Sequence, residues 1–530
     1  MHWSDVVAKR LSERGKKHIV STGITPSGEF HIGHLREILT GDMIAKAAKK
    51  AGLDVEFVFI VDSADPLRKV YSFLDDAYSE YIGHQLKQIP PPNAEGGPDM
   101  ERFSQGISYA DHFLEPFKQA LEQIDVRPRF IDNYEAYADG NFAETARIAC
   151  NNADKIREII ERVSSRELSD DWFPWNPIDS KGSIDGIRVT GWNDPIVSWV
   201  DAEGNEGTSD VTKGEGKLPW RIDWPAKWAW IGVTMEPFGK DHGAAGGSYD
   251  TGKEIVELFG KVAPVDLTYE WISLRGQGAM SSSSGNTIGP LEALSLVPPE
   301  ILRYLVASTK PNKAIEFDTG MGLVNLADEF ERNTARDFSI EMDKEGLSRR
   351  QTVAIEDAKT ALELSLISPL EETSKVTFRH LAMLAQTKSN DEDVWISLGL
   401  AGYVSQSMIG RLDRMRTWTR SRHFPDELRI TILDKPDVEA VGRLDDENLA
   451  ILPTLIEALD ACEWDTPSIQ STVSNAAKSQ DMSPRHAYRA LYLCIMGTER
   501  GPRLPTILAE LDQSTIVNLL RACLEESVEP

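Results

Sequence analysis

The stretch STGITPSGEFHIGHLRE, residues 21–37, decides the fold of this 530-residue chain. Residues 17–21 lead into it as a short apolar run typical of a buried strand, and the pattern after Gly33 is helical through Ala51. Glycines in the turn let the backbone approach a ligand, and the free N–H groups of a helix start favour an anion such as phosphate. The stretch therefore predicts a strand, a small-residue turn and a helix start of an α/β fold.

Two histidines stand at the start of that helix. His31 and His34 are three residues apart and share one helix face. Imidazoles aimed at a phosphate can hold it and stabilise the charge that develops when it is displaced. A metal site of His31, His34 and Glu37 is an alternative, and two plain surface histidines are another. The glycine-rich turn favours the phosphate interpretation, because it accounts for these residues without a metal.

Composition limits the class of protein. The length suggests about three domains, and 57 basic against 84 acidic residues give a net charge of −27. Such a balance argues against nucleic-acid binding unless a local basic patch lies on an acidic body, or it reflects adaptation to salt. Four scattered cysteines indicate a reducing compartment. With no long apolar run and no signal peptide, we expect a cytoplasmic protein without a membrane partner.

The letters HIGH at residues 31–34 are the signature of class I aminoacyl-tRNA synthetases. The fuller stretch from Thr22 resembles the class I lysyl-tRNA synthetases, although H-x-G-H alone also occurs in other nucleotidyl transferases. The resemblance implies that ATP binds along this turn and helix start. The residues that it assigns to ATP here are Pro26, Ser27, Gly28, His31, Gly33 and His34.

Further strands and helices follow in the pattern of an open α/β sheet. Residues 55–61 read as a second strand, which places Asp62 and Asp65 at its carboxyl end, where such sheets bind ligands. The alternative for these acids is loop solvation at a turn. Residues 129–132 predict a third strand, and residues 136–163 predict one long helix with Cys150 in the core.

An insertion interrupts the sheet at about residues 90–216. Its part from 165 to 216, rich in Gly, Asp, Ser and Trp with short alternating runs, predicts a small β structure. Many relatives of the family hold zinc here through CxxC pairs. No cysteine lies between Cys150 and Cys462, so a zinc ribbon built on cysteines is excluded and no protein-bound zinc is expected.

Two later segments also resemble the family. In KLPWRIDWPAKWAWIG, residues 217–232, most of the tryptophans are expected in the core, and Trp220 is the exception because its indole suits a lysine ammonium. In EPFGKDHGAAGGSYDTG, residues 236–252, a glycine-rich loop lies between a strand and a helix. By resemblance, Gly239, Asp241 and His242 line the pocket, with Asp241 a candidate for a ribose hydroxyl.

The second class I signature, most often KMSSSKGN, corresponds to the loop GQGAMSSSSGN at residues 276–286. The resemblance implies that this loop closes over the phosphates through Met280, Ser281, Ser282 and Ser283. Both lysines of the signature are missing, replaced by Ala279 and Ser284. Those lysines normally stabilise the leaving pyrophosphate, so Lys240 or Arg275 are candidates for the missing charge.

The strand predicted at residues 265–274 completes the site. It brings Ile272 to ATP and Tyr269 to the amino-acid pocket. By resemblance the lysine site comprises Gly23, Thr25, Glu37, Trp220, His242 and Tyr269, with Glu37 as the partner of the ammonium group. A site for the carboxylate side chain of glutamate would need an arginine, so the presence of Arg36 leaves glutamate as an alternative substrate.

Strand signals fade after residue 290. Residues 291–347 resemble the family's connecting domain, and residues 348–530 read as the all-helical anticodon-binding domain. One basic run there can meet phosphates and stack an unpaired base, or can be a surface helix paired to the protein's own acids. It consists of Arg411, Arg414, Arg416, Arg420 and Arg422, with Trp418 and His423.

The sequence thus predicts a Rossmann-like parallel sheet with a β-containing insertion at residues 1–290, followed by the connecting and helical domains. The resemblance implies a class I lysyl-tRNA synthetase that uses ATP with Mg²⁺, L-lysine and tRNA(Lys), and does not use DNA. The alternatives are a glutamyl-specific class I enzyme, a nucleotidyl transferase that does not use tRNA, and a non-catalytic tRNA-binding relative.

Overall fold

The computed structural model describes residues 1–275, 278–279, 287–367 and 376–527. Met280, Ser281, Ser282 and Ser283 lie outside these residues, so their predicted role stays a prediction. The chain divides into two compact units. The first comprises residues 1–294, 299–318 and 336–367, and the second comprises residues 295–298, 319–335 and, within the described residues, 376–527.

A five-stranded parallel sheet forms the centre of the first unit. Its strands are β1 (Lys17–Ile24), β2 (Asp54–Val61), β3 (Arg129–Asp132), β4 (Met235–Gly239) and β5 (Val265–Tyr269), in the spatial order β5-β4-β1-β2-β3. β1 and β2 pair in register from Lys17 and Asp54 to Ile24 and Val61. All strands are parallel, so their carboxyl ends meet at one edge, where open α/β sheets bind ligands. The predicted Rossmann-like fold is confirmed.

Helices cover the sheet of the first unit. They are Trp3–Ser12, Ile32–Lys50, Met100–Ser104, Tyr109–Gln123, Asn133–Ala138, Ala143–Asn151, Ala153–Ser164, Trp220–Lys227, Ser248–Leu258, Pro299–Ala307, Phe338–Met342 and Arg349–Ser365, with short 3₁₀ turns at Asp76–Tyr81 and Leu86–Gln88 and a π turn at Trp228–Gly232. Pro290–Leu296 is a further helix at the boundary of this unit.

The single helix predicted at residues 136–163 is wrong. The segment holds three helices, the first of which begins three residues earlier, where the Asp132 carboxylate accepts the N–H groups of Tyr134 and Glu135. Gly140 interrupts it with φ +76°, a left-handed conformation that favours glycine. Apolar residues on both sides of the breaks stay at helical spacing, which is why the pattern predicted one helix. Cys150 is buried in the core, as predicted.

The insertion contains the predicted β structure. Strands Arg188–Asn193, Ile196–Val200 and Glu206–Asp210 form an antiparallel sheet, and Asn176–Pro177 pairs with Gly216–Lys217. Trp175, fully buried, donates its indole N–H to the Ser209 hydroxyl at 2.8 Å. Aromatic packing and this hydrogen bond tie the small sheet to the residues around it.

The single strand predicted at residues 265–274 is also wrong. β5 ends at Tyr269, and Ile272–Leu274 begins a separate three-stranded sheet with Gly278–Ala279 and Ile315–Phe317. The chain changes sheets at Glu270 and Trp271. Both halves are apolar and alternate, so the sequence pattern carried no sign of the break.

The described residues of the second unit are helical apart from their connections. The helices are Met321–Thr334, Phe378–Thr387, Asp391–Ser397, Gln406–Arg420, Val438–Val441, Asp446–Ala461, Thr466–Ser479, Pro484–Met496, Leu504–Leu508 and Gln513–Glu526, with a 3₁₀ turn at Asp426–Leu428. Helix Arg349–Ser365 falls in the first unit, and the predicted boundary of the helical domain at residue 348 stays a prediction. Among the described residues, no helix is long and apolar enough to cross a membrane.

Candidate active site

A cavity of about 460 Å³ opens at the carboxyl ends of β1, β4 and β5. Every residue that lines it except Trp271 was among the site residues predicted from the sequence. The lining residues are His31, Gly33, His34, Glu37, Gly239, Asp241, His242, Tyr269, Trp271 and Ile272. Residues from three separate segments of the sequence, 31–37, 239–242 and 269–272, thus converge on one site.

His31 and His34 cap the helix Ile32–Lys50 reciprocally. The His34 Nδ1 accepts the backbone N–H of His31 at 3.0 Å, and the His31 Nδ1 accepts that of Gly33 at 3.1 Å. A neutral imidazole that accepts at Nδ1 carries its proton on Nε2, an assignment made from these hydrogen bonds. Each ring therefore keeps an Nε2–H donor in addition to its bond to the backbone.

Both imidazoles are neutral near pH 7. Burial lowers the pKa of His31 to about 4. Burial also lowers the pKa of His34 to about 3, with a further contribution from the neighbouring His31. The pair thus supplies fixed N–H dipoles rather than positive charge.

The Glu37 carboxylate lies one turn further along the same helix and is held from two sides. It accepts the backbone N–H of Gly23 at 3.0 Å and the hydroxyl of Tyr269 at 2.8 Å. Burial raises the pKa of Glu37 to about 7, although both hydrogen bonds oppose the shift. No described residue forms an ion pair with Glu37, and a buried acid of this kind in an open cavity favours a cationic ligand.

Trp220 and His242 form the aromatic side of the site. Trp220 was predicted to precede its helix and is the first residue of that helix. Its ring centroid lies 5.4 Å from that of Trp224 and 5.2 Å from that of His242. Burial lowers the pKa of His242. Trp220 borders the cavity through His242 and is not among its lining residues.

The turn residues predicted for ATP and lysine, Thr25 to Gly28, are not among the residues that line the cavity. The Thr25 hydroxyl donates to Asp65 at 2.7 Å, and the Ser27 carbonyl accepts the Tyr109 hydroxyl at 2.8 Å. Pro26 and Gly28 complete this turn before His31 and, like Thr25 and Ser27, are absent from the lining. Their assignment to ligands stays a prediction.

Arg36 points away from the cavity. Its side chain is buried, with 1% of its surface exposed, and Nη2 donates to the carbonyls of Lys310, Pro311 and Lys313 at 3.3–3.5 Å. The orientation that would serve a glutamate side chain is therefore not adopted. The question that the sequence left open about Arg36 is answered by contacts with a segment more than 270 positions away.

Asp62 and Asp65 belong to a buried chain of alternating charges. Lys217 pairs with Asp65 at 2.8 Å, Lys227 pairs with Asp223 at 2.6 Å, and Lys227 also contacts Asp62. The chain ties the end of β2 to the helix Trp220–Lys227. The sequence offered two interpretations of Asp62 and Asp65, a ligand site or a solvated loop. The buried ion pairs correspond to neither of them.

The two candidates for the missing loop lysines both have acidic partners. The Lys240 ammonium lies 2.7 Å from Glu270 and 4.7 Å from the ring centroid of Trp271, a cavity residue. The Arg275 guanidinium lies 2.5 Å from Asp318. Lys240 is the candidate next to the cavity, because Gly239 and Asp241 on either side of it line the cavity.

No group of three or more His, Cys, Asp or Glu side chains is arranged to hold a metal ion within the part of the chain that is described. His31, His34 and Glu37 do not form such a group. The sequence interpretation of these residues as a metal site therefore finds no support in their geometry.

The basic helix of the second unit, Gln406–Arg420, differs from its prediction in part. Trp418 has 0% of its surface exposed and donates its indole N–H to the Thr319 carbonyl at 2.8 Å, so its ring offers no face to a base. Arg411 is buried against Glu331, and Arg416 pairs with Asp391. Arg420 is exposed and Arg414 half-buried. The alternative of arginines paired to the protein's own acids thus describes Arg411 and Arg416.

Comparison with known proteins identifies two family models. Residues 1–359 match the model of class I tRNA synthetases (K), and residues 419–524 match an anticodon-binding domain. A lysine–tRNA ligase of Picrophilus torridus is 38% identical over 99% of this chain and 100% of its own length. One of Thermoplasma volcanium is 37% identical over 99% of both chains.

Among solved structures, a glutamate tRNA ligase of Elizabethkingia meningosepticum matches with 13% identity and a TM-score of 0.46. The match covers 96% of this chain and 99% of the other.

Proposed function

Because this chain belongs to the family of class I lysyl-tRNA synthetases, we propose that it activates L-lysine with ATP and transfers the lysyl group to tRNA(Lys). The observation that carries the proposal is the Glu37 carboxylate in the same cavity as His31 and His34. An acid for an ammonium group and two N–H donors for phosphate are the recognition elements that this reaction requires.

In the proposed first step, a carboxylate oxygen of lysine attacks the α-phosphorus of ATP. The bond between that phosphorus and the bridging oxygen to the β-phosphate breaks, which gives lysyl-adenylate and pyrophosphate. The Nε2–H groups of His31 and His34 donate to the phosphate oxygens as charge builds on them. Magnesium arrives with ATP as part of the substrate, held by phosphate oxygens.

Lysine is oriented by its side chain in this proposal. Its ammonium group pairs with Glu37, which Gly23 and Tyr269 hold in place, and the indole of Trp220 with His242 covers the aliphatic chain. Thr25 lies beside the α-amino and carboxylate groups. The contribution to catalysis is positioning, because no side chain acts as a nucleophile.

In the second step, a hydroxyl of the terminal adenosine of tRNA attacks the lysyl carbonyl, and AMP leaves. We assign recognition of the tRNA to the second unit, on the basis of its anticodon-domain match and of its exposed arginines such as Arg420. The product, lysyl-tRNA, is consumed in protein synthesis, so we place the protein in the cytoplasm.

The test is exchange of labelled pyrophosphate into ATP, measured with each of the twenty amino acids, with and without tRNA. Exchange with lysine alone is the expected result. Exchange with glutamate in place of lysine would contradict the assignment of Glu37.

A non-catalytic tRNA-binding relative is the second candidate, because Ala279 and Ser284 replace the loop lysines. It predicts tRNA binding by folded protein without exchange for any amino acid. Exchange that requires tRNA would instead indicate an active site that the RNA completes.

A further inference from the structure

Glu236 is a buried acid that the proposed mechanism does not use. It is the second residue of β4, with 6% of its surface exposed. Its Oε1 accepts the indole N–H of Trp224 at 3.0 Å, and its Oε2 accepts that of Trp228 at 2.5 Å. One carboxyl group thus fixes two tryptophans of the helical segment that follows Trp220.

Within the described ranges of the chain, no basic side chain forms an ion pair with Glu236. Lys227 is the basic residue whose charge acts on it, and Lys227 is already paired with Asp62 and Asp223. A buried carboxyl is costly unless its hydrogen bonds are complete. The two indole donors supply these bonds, so the acid and the tryptophans stabilise one another's positions.

Trp224, one of the two tryptophans held in this way, packs behind the aromatic side of the amino-acid site. The ring of Trp224 lies 5.4 Å from Trp220, 4.8 Å from Trp228 and 5.7 Å from His242, measured between centroids. His242 in turn lines the cavity. Two side chains, Trp224 and His242, therefore stand between the carboxyl of Glu236 and the cavity.

We propose that Glu236 is a positioning residue for lysine recognition, which sets the orientation of Trp224 and so of the Trp220 and His242 rings against the substrate side chain. The inference rests on the proposed function, since it names a determinant of that same site. It assigns to β4 a role in amino-acid specificity beyond that of carrying the Gly239 loop.

Glu236→Gln is the direct test, because it keeps the shape of the side chain. A glutamine offers one oxygen and one NH₂ group, so one indole N–H faces a donor rather than an acceptor. Loss of one buried hydrogen bond predicts that the KM for lysine in pyrophosphate exchange rises roughly tenfold. The KM for ATP should stay within about twofold, because His31 and His34, the proposed phosphate donors, are not part of the series of contacts from Glu236 through Trp224 to His242.

Two tryptophan variants test the same inference without changing Glu236. Trp228→Phe removes one donor from Glu236 and is expected to raise the KM for lysine severalfold. Trp230→Phe is the matched control, because the buried Trp230 indole N–H has no hydrogen-bond partner among the residues that the structure describes, Glu236 included. It should leave the KM for lysine unchanged.

A purely structural role gives a different pattern. Partial unfolding lowers kcat by reducing the active fraction and leaves the KM for lysine as it was. That pattern in Glu236→Gln and Trp228→Phe, or equal rises in the KM for lysine and for ATP, would overturn the inference.

Direct calorimetry of lysine binding separates this inference from the proposed function. Wild-type protein without lysine-dependent exchange contradicts the proposed function. Lysine binding that is weakened by Glu236→Gln still supports the positioning role in that case, and binding that is equal in wild type and variant, or absent from both, overturns it.

Discussion

Glu37 makes lysine binding depend on pH. Burial raises the pKa of Glu37 to about 7 in the free protein, and only its ionised form attracts an ammonium group. Below pH 7 the acid must first lose a proton, so the dissociation constant for lysine should rise about tenfold for each unit of pH. Calorimetry from about pH 5.5 to pH 8 checks this.

The matched control for that prediction is Glu37→Gln, which should bind lysine weakly and with little dependence on pH over the same range. His31 and His34 do not titrate in this pH range, because their pKa values of about 4 and about 3 lie below pH 5.5. Lysine affinity that is constant in the wild type from pH 5.5 to pH 8 would contradict the role of Glu37.

The two functions of His34 can be separated by substitution. Asparagine at position 34 keeps an oxygen where Nδ1 accepts the His31 N–H and removes the Nε2–H donor. We expect His34→Asn to retain its stability and to lower the rate of pyrophosphate exchange by roughly 10²–10³-fold, as for loss of one donor to a developing charge.

His34→Ala removes the acceptor as well, and should lose about 1 kcal/mol of stability through the lost helix cap. Urea unfolding and exchange kinetics on both variants measure the two effects. Exchange at the wild-type rate in His34→Asn would show that the Nε2–H donor does not act on the phosphate.

At the scale of single residues, the site could be predicted where short motifs place side chains locally. HIGH and the loop after β4 put His31, His34, Gly239 and His242 on the cavity correctly. The direction of Arg36 could not be predicted, because a distant segment supplies its acceptors. Glu236 was missed although its partners Trp224 and Trp228 lie only 12 and 8 residues earlier, because periodicity does not show which side chains meet across a turn. An acid preceding a proline in an apolar strand was its only signal.

At the scale of the helices and strands, Arg303 joins three helices of the first unit. It is fully buried and donates to the Leu364 carbonyl at 2.7 Å, the Ile124 carbonyl at 3.0 Å and the Asp42 carboxylate at 2.7 Å. Arg303→Met would leave the two carbonyls without this donor, and the buried Asp42 carboxylate would keep only its ion pair with Lys46 at 3.1 Å. We expect a loss of about 3–5 kcal/mol in the free energy of unfolding.

Arg10→Ala is the control for Arg303→Met. Arg10 also pairs with an aspartate, Asp266, at 2.8 Å, but both side chains are more than two-fifths exposed. Water screens such a pair, so the loss should stay below about 1 kcal/mol. Urea unfolding followed by circular dichroism compares the two variants, and equal losses would contradict a central role for Arg303.

Helices and strands were predictable where hydrophobic pattern and end signals agree. β2, β3 and the helix Ile32–Lys50 lie within two residues of their predicted bounds, and β1 extends three residues beyond its predicted end. The failures at residues 136–163 and 265–274 share one cause. Apolar spacing continued through a break whose position depends on a left-handed glycine or on a partner strand elsewhere in the chain, and neither is visible as periodicity.

At the scale of the whole molecule, the net charge of −27 opposes the approach of tRNA. Long-range repulsion is screened within about 10 Å at about 0.1 M salt, whereas contacts between arginine and phosphate weaken as salt rises. The first effect governs the approach and the second governs the bound complex. We therefore expect the association rate constant for tRNA to rise or stay level between about 0.05 M and about 0.2 M KCl, while the dissociation rate constant increases.

Stopped-flow fluorescence with labelled tRNA measures the two rate constants separately. Lysine activation without tRNA, measured over the same salt range, is the control, because its cavity admits small ligands over short distances. An association rate that falls steeply with salt, as basic proteins show, would mean that the exposed arginines of the second unit outweigh the acidic body during approach. The basic surface would then govern the encounter with RNA as well as the bound state, despite the excess of acidic residues in the chain.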